Sequence, residues 1–98
     1  MFQVDWDSVG GWGKPRIMPY QPLKIDTTAT SLHYGISAFE GISVVKNSET
    51  GHPQAFRAQT NLNSFLEASK HLDMPEFDTE ELFNCLKHLV YIDQDWFP

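Results

Sequence analysis

Positive charge is scarce in this chain. Seven lysines and arginines stand against thirteen aspartates and glutamates, for a net charge of -6. A duplex-binding surface needs a basic footprint, so nucleic acid is not an expected partner. Cysteine is almost absent: Cys85 stands alone, which excludes an internal disulfide and points to a reducing compartment. No apolar run approaches the roughly 18 residues of a membrane span. The opening Met1-Phe2-Gln3-Val4-Asp5-Trp6 is neither a basic-apolar signal nor an Arg-rich transit peptide, so a targeting segment is not expected within the chain. Motifs that carry chemistry are missing as well. There is no G-x-S-x-G elbow, no P-loop and no trustworthy Ser-His-Asp spacing. Cys85 and His88 are spaced to share a helix face, but zinc needs about four ligands and no second pair is visible. A buried free thiol beside a surface histidine is the expected outcome. Lys14, Lys24, Lys46, Lys70 and Lys87 all lie in polar or turn contexts, and none has the apolar setting that prepares a lysine for Schiff-base work.

What remains is a chain of 98 residues, enough for one small domain, with 41% hydrophobic and 13% aromatic residues. It can build a core and is not of the disordered type. Its organising stretch is Thr30 to Gly41. Leu32, Ile36 and Phe39 recur at four and three, so the spacing predicts a helix with one apolar face. Thr30 or Ser31 can cap it and Gly41 can end it. Tyr34 and Phe39 set two large rings beside Gly35, Ser37 and Ala38, a composition suited to a pocket wall and equally to a core helix. Ile42 to Lys46 then reads as a β-branched strand.

On either side the pattern is α+β. Phe2, Val4 and Trp6 alternate with polar residues, which predicts a half-buried strand. The glycine-rich run Ser8 to Gly13 leads into Lys14-Pro15 and no helix, so it reads as a turn and not a phosphate cradle. Pro15, Pro19 and Pro22 favour edge strands or extended loops. The loop Asn47 to Pro53 joins the central strand to a return strand at Gln54 to Arg57. A second helix is expected from a cap at Thr60 or Asn61, with Leu62, Phe65, Leu66, Ser69 and Leu72 on its apolar face and Met74-Pro75 closing it. A third should start at an Asp78 cap, carry Leu82, Phe83, Leu86, Leu89 and Val90 as one stripe, and fade at Asp93 to Asp95. The ending Trp96-Phe97-Pro98 would make a sticky terminus, which suggests more domain beyond it.

Several segments, taken in order, resemble one family: Val4-Asp5-Trp6, Gly11-Trp12-Gly13-Lys14-Pro15-Arg16-Ile17, Leu32-His33-Tyr34-Gly35, Phe39-Glu40-Gly41, Phe56-Arg57, Asn61-Leu62-Asn63, Met74-Pro75 and Asp95-Trp96-Phe97-Pro98. They are similar to the branched-chain amino-acid aminotransferases, pyridoxal phosphate enzymes of fold type IV, over essentially the whole chain. The resemblance implies that residues 1–98 are that family's small N-terminal domain, an α+β unit with an open, mainly antiparallel sheet and packed helices. It implies a homodimer that moves an amino group between leucine, isoleucine or valine and 2-oxoglutarate, with no membrane partner. The position matching Phe39 lines the hydrophobic substrate slot, and that matching Tyr34 belongs to the site wall and reaches across the dimer. The family's Schiff-base lysine lies downstream of this chain, so no catalytic residue is expected here. Where the family has an arginine contacting the cofactor phosphate, this chain has Ser64, the one cofactor-binding candidate. The resemblance leaves two compartments open: the cytoplasm, or the mitochondrial matrix if a transit peptide precedes Met1. A degenerate paralogue or free-standing module that binds a protein partner is the other reading.

Overall fold

The computed structural model describes residues 1–98. Its α+β character is as expected, and every strand pairing is antiparallel. Strands β1 (Phe2–Gln3), β2 (Trp6–Asp7), β3 (Gly11–Trp12) and β4 (Arg16–Ile17) precede helix α1 (Thr30–His33). Then come β5 (Val44–Lys46), β6 (Pro53–Ala55), α2 (Ala58–His71) and α3 (Thr79–Ile92), with a 3-10 turn over Gln94–Trp96. The sheet is divided into three separate two-stranded ladders: β1 with β4, β2 with β3, and β5 with β6.

The amino-terminal strand breaks in two because its halves take different partners. Phe2 lies opposite Ile17, whereas Trp6 lies opposite Trp12 in a tight hairpin. The glycine-rich run is the turn of that hairpin. Asp7 Oδ1 accepts from the Val9 and Gly10 amides at 2.9 and 2.7 Å, and Gly11 holds φ 72°, a left-handed value that costs glycine little. Trp12 Nε1 donates to the Glu76 carbonyl at 2.8 Å, tying the hairpin to the α2–α3 connection.

Helices α2 and α3 pack on each other. Both follow their apolar stripes, but α2 begins earlier than its sequence signals suggest. The residue at its cap is Arg57, held at φ 52° and ψ 37°, so Thr60 and Asn61 lie inside the first turn and cap nothing. A non-glycine residue in that region is strained by about 1–2 kcal/mol. The three buried residues of the chain, Ala58, Leu62 and Ser69, all belong to α2. Ser69 satisfies its hydroxyl by donating to the Phe65 carbonyl at 2.8 Å, and Phe65 meets Phe77 with ring centroids 5.3 Å apart. Leu72 falls outside the helix and is exposed. At α3 the cap is as expected: Asp78 Oδ1 accepts from the Glu80 and Glu81 amides.

The central stretch departs most from expectation. Helix α1 stops at His33 after one turn, and residues 36–43 have no regular structure. Gly35 takes φ 64° and ends the helix six residues before Gly41. Nothing covers the predicted face, since Leu32, Ile36 and Phe39 are all exposed. A short helix without tertiary packing is marginal in water.

Candidate functional site

The three candidate residues sit in three places along the chain. Tyr34 caps the carboxyl end of α1, and Phe39 lies in the irregular segment that follows. Their rings are 79% and 89% exposed, too open for core residues. Ser64 is the seventh residue of α2, on an exposed position. Because α2 starts at Ala58, Ser64 is not in the first turn, and amides past the first turn are spent inside the helix. Its hydroxyl is the donor it can offer.

The irregular segment carrying Phe39 is attached to α2. The Asn61 amide Nδ2 donates to the Gly41 carbonyl at 2.6 Å across 20 residues of sequence. Sequence reasoning selected Asn61 as a helix cap; the side chain instead points outward to a distant loop. Nothing in a single sequence signals that partner. Beyond Gly41, Phe56 N donates to Ser43 O at 2.9 Å, and the β5–β6 ladder begins.

An apolar concavity lies elsewhere. A cavity of about 690 Å³ opens between the β5–β6 hairpin and α3, lined chiefly by Ile42, Val44, Pro53, Ala55, Phe83, Leu86, Val90 and Phe97. Glu40 reaches its rim, but Phe39, Tyr34 and Ser64 do not line it. The structure therefore does not gather the three candidates around one enclosed space within residues 1–98.

The remaining polar candidates are structural. His33 Nε2 faces the Thr27 carbonyl; a carbonyl only accepts, so that nitrogen carries the proton. Cys85 is a free, half-buried thiol, and His88 is exposed. No group of three or more histidine, cysteine or acidic side chains is placed to hold a metal. Two carboxylates are held below their ordinary range: Asp7 by the Gly10 and Val9 amides, and Asp26 by the Thr28 hydroxyl and amide. Lys70 pairs with Glu67 and Glu76 at 3.4 and 3.7 Å, and the Arg57 guanidinium lies 5.3 Å over the Phe56 ring.

This chain is similar to branched-chain-amino-acid aminotransferases, and the similarity runs through all of its residues. It is 37% identical over 98 residues to the mitochondrial branched-chain-amino-acid aminotransferase of Rattus norvegicus. It is 39% identical to the branched-chain-amino-acid aminotransferase of Dictyostelium discoideum and 41% identical to branched-chain-amino-acid aminotransferase 2 of Bacillus subtilis (strain 168). The whole chain is covered in each case, against 25%, 26% and 27% of the relative. No protein-family model matches the chain. Along its full length, then, this chain is homologous to about a quarter of a branched-chain-amino-acid aminotransferase. Relatives named as mitochondrial and as cytosolic both occur. No helix is long and apolar enough to cross a membrane.

Proposed function

We propose that residues 1–98 are the small N-terminal domain of a pyridoxal-phosphate-dependent transaminase acting on leucine, isoleucine and valine with 2-oxoglutarate. The observation that carries this reading is the unbroken similarity of all 98 residues to branched-chain-amino-acid aminotransferases at 37–41% identity. The exposure of Phe39 and Tyr34 supports it physically. Large rings left open to water mark surfaces that another surface covers, and a branched aliphatic side chain needs an apolar, ring-lined slot. Phe39 would face the substrate side chain, and Tyr34 would meet the second subunit of a homodimer. The cytoplasm is the proposed compartment.

The residues present do not by themselves enclose the cofactor. Pyridoxal phosphate, when bound, would supply the electron sink for amino-group transfer. At the matched position this chain offers one exposed hydroxyl, Ser64 Oγ, while the two cations of the same helix and its cap are engaged elsewhere: Arg57 lies over Phe56, and Lys70 is paired with two glutamates. The phosphate would be held mainly by groups outside residues 1–98, and Ser64 would contribute one hydrogen bond. The Schiff-base lysine would likewise come from outside this chain.

The test is the full-length protein loaded with pyridoxal phosphate and supplied with leucine and 2-oxoglutarate. Glutamate should form with the full-length protein, and not above the rate of free cofactor with residues 1–98 alone. A loaded full-length protein that forms no glutamate from leucine, isoleucine or valine overturns the reading.

A further inference from the structure

Between Ile36 and Ser43 the chain has no regular structure, and no backbone amide or carbonyl of residues 37–42 takes part in a backbone–backbone hydrogen bond. The side-chain bond from Asn61 Nδ2 to Gly41 O, at 2.6 Å, is the one hydrogen bond that ties this segment to the rest of the molecule. It springs from the first turn of α2, the helix that holds all three buried residues and is therefore the firmest body available. Phe39 is two residues from the tethered carbonyl.

We propose that Asn61 is a positioning residue for Phe39. Its amide pins the Gly41 carbonyl to α2, and so sets where the Phe39 ring stands relative to that helix and to Ser64 on it. The step from ring position to substrate rests on the reading that Phe39 lines the branched-chain slot. Gly41 O can only accept, so the donor must be the amide nitrogen. An aspartate of nearly the same size would put an oxygen against an oxygen.

Asn61→Asp and Asn61→Ala, made in the loaded full-length protein, test this with two readouts. Cleavage within residues 37–42 by a broad-specificity protease should quicken about three- to ten-fold in both, the range expected for losing one net hydrogen bond. The KM for leucine should rise several-fold with kcat less affected, and the Asn61→Ala effect should vanish when Phe39→Ala is already present. Cleavage within residues 37–42 that matches the parent in both variants overturns the proposal. So does a kinetic loss of equal size with and without Phe39, which would mean that Asn61 acts through the fold at large. If cleavage quickens as expected while Phe39→Ala alone leaves the kinetics untouched, the tether stands and the slot reading falls.

Discussion

On the proposed reading, Ser64 stands at the position of the phosphate-contacting arginine. Its side chain is exposed on α2, so Ser64→Arg can be accommodated without disturbing the buried face of Leu62 and Ser69. In the full-length protein a guanidinium there would add a charge-assisted bond to the phosphate, worth roughly 1.5–3 kcal/mol if unopposed. Cofactor affinity should rise ten-fold or more in an absorbance titration, with the preference among leucine, isoleucine and valine unchanged. Unchanged or weakened affinity would mean that Ser64 does not face the phosphate. Phe39→Ala should do the converse. Losing the ring should lower kcat/KM for leucine by about ten-fold or more while leaving the cofactor titration alone. Equal kinetics for all three substrates before and after would remove Phe39 from the slot.

Among the elements, the β2–β3 hairpin has a defined pH response. Two turn amides, from Gly10 first and Val9 second, favour the ionised form of Asp7 and hold its pKa below the ordinary 3.8. The folded value is thus depressed. Its stabilising contribution is in place above the unfolded pKa and is lost as pH falls through the lower, folded one. Acidification below about pH 4 should therefore loosen the hairpin, seen as a change in the fluorescence of Trp6 and Trp12, which face each other across it. Asp7→Asn should remove the Asp7 part of that acid transition; an identical acid profile in the variant would show that the turn is held otherwise. The cap of α3 is of the same kind. Asp78 accepts two first-turn amides, a feature worth about 1 kcal/mol.

As a whole, residues 1–98 are open. The radius of gyration is 15.2 Å, against about 13 Å for a compact domain of this length. The accessible surface is 7904 Å², where folded monomers of this mass expose roughly 5,700 Å². Only three residues are buried, while Trp96, Phe39 and Tyr20 are each more than four-fifths exposed. A two-stranded ladder is marginal alone, and this chain has three. The isolated 98-residue chain should accordingly melt without a sharp transition and bind a dye that reports apolar surface. A cooperative melt of a dye-silent monomer would contradict that expectation. The apolar cavity between α3 and the β5–β6 hairpin belongs to the same openness.

Local chemistry carried much of this molecule on its own. The periods of α2 and α3, the Asp78 cap and the glycine-rich turn all follow from interactions within a few residues, and they are where the spacing predicts them. The order of motifs likewise suffices to relate the chain to its aminotransferase relatives. Tertiary structure decided the rest. Helix α1 stops at His33, ahead of a left-handed Gly35, because no partner covers Leu32 and Ile36, so periodicity had nothing to pack against. Helix α2 starts at Ala58 because its apolar face is buried from that residue onward, which holds Arg57 in a left-handed conformation that its own preference opposes. Asn61 serves Gly41 and not its own helix, since the two meet only after the chain has turned back through β5 and β6. A contact across 20 residues is a property of the folded path, and no local pattern contains it.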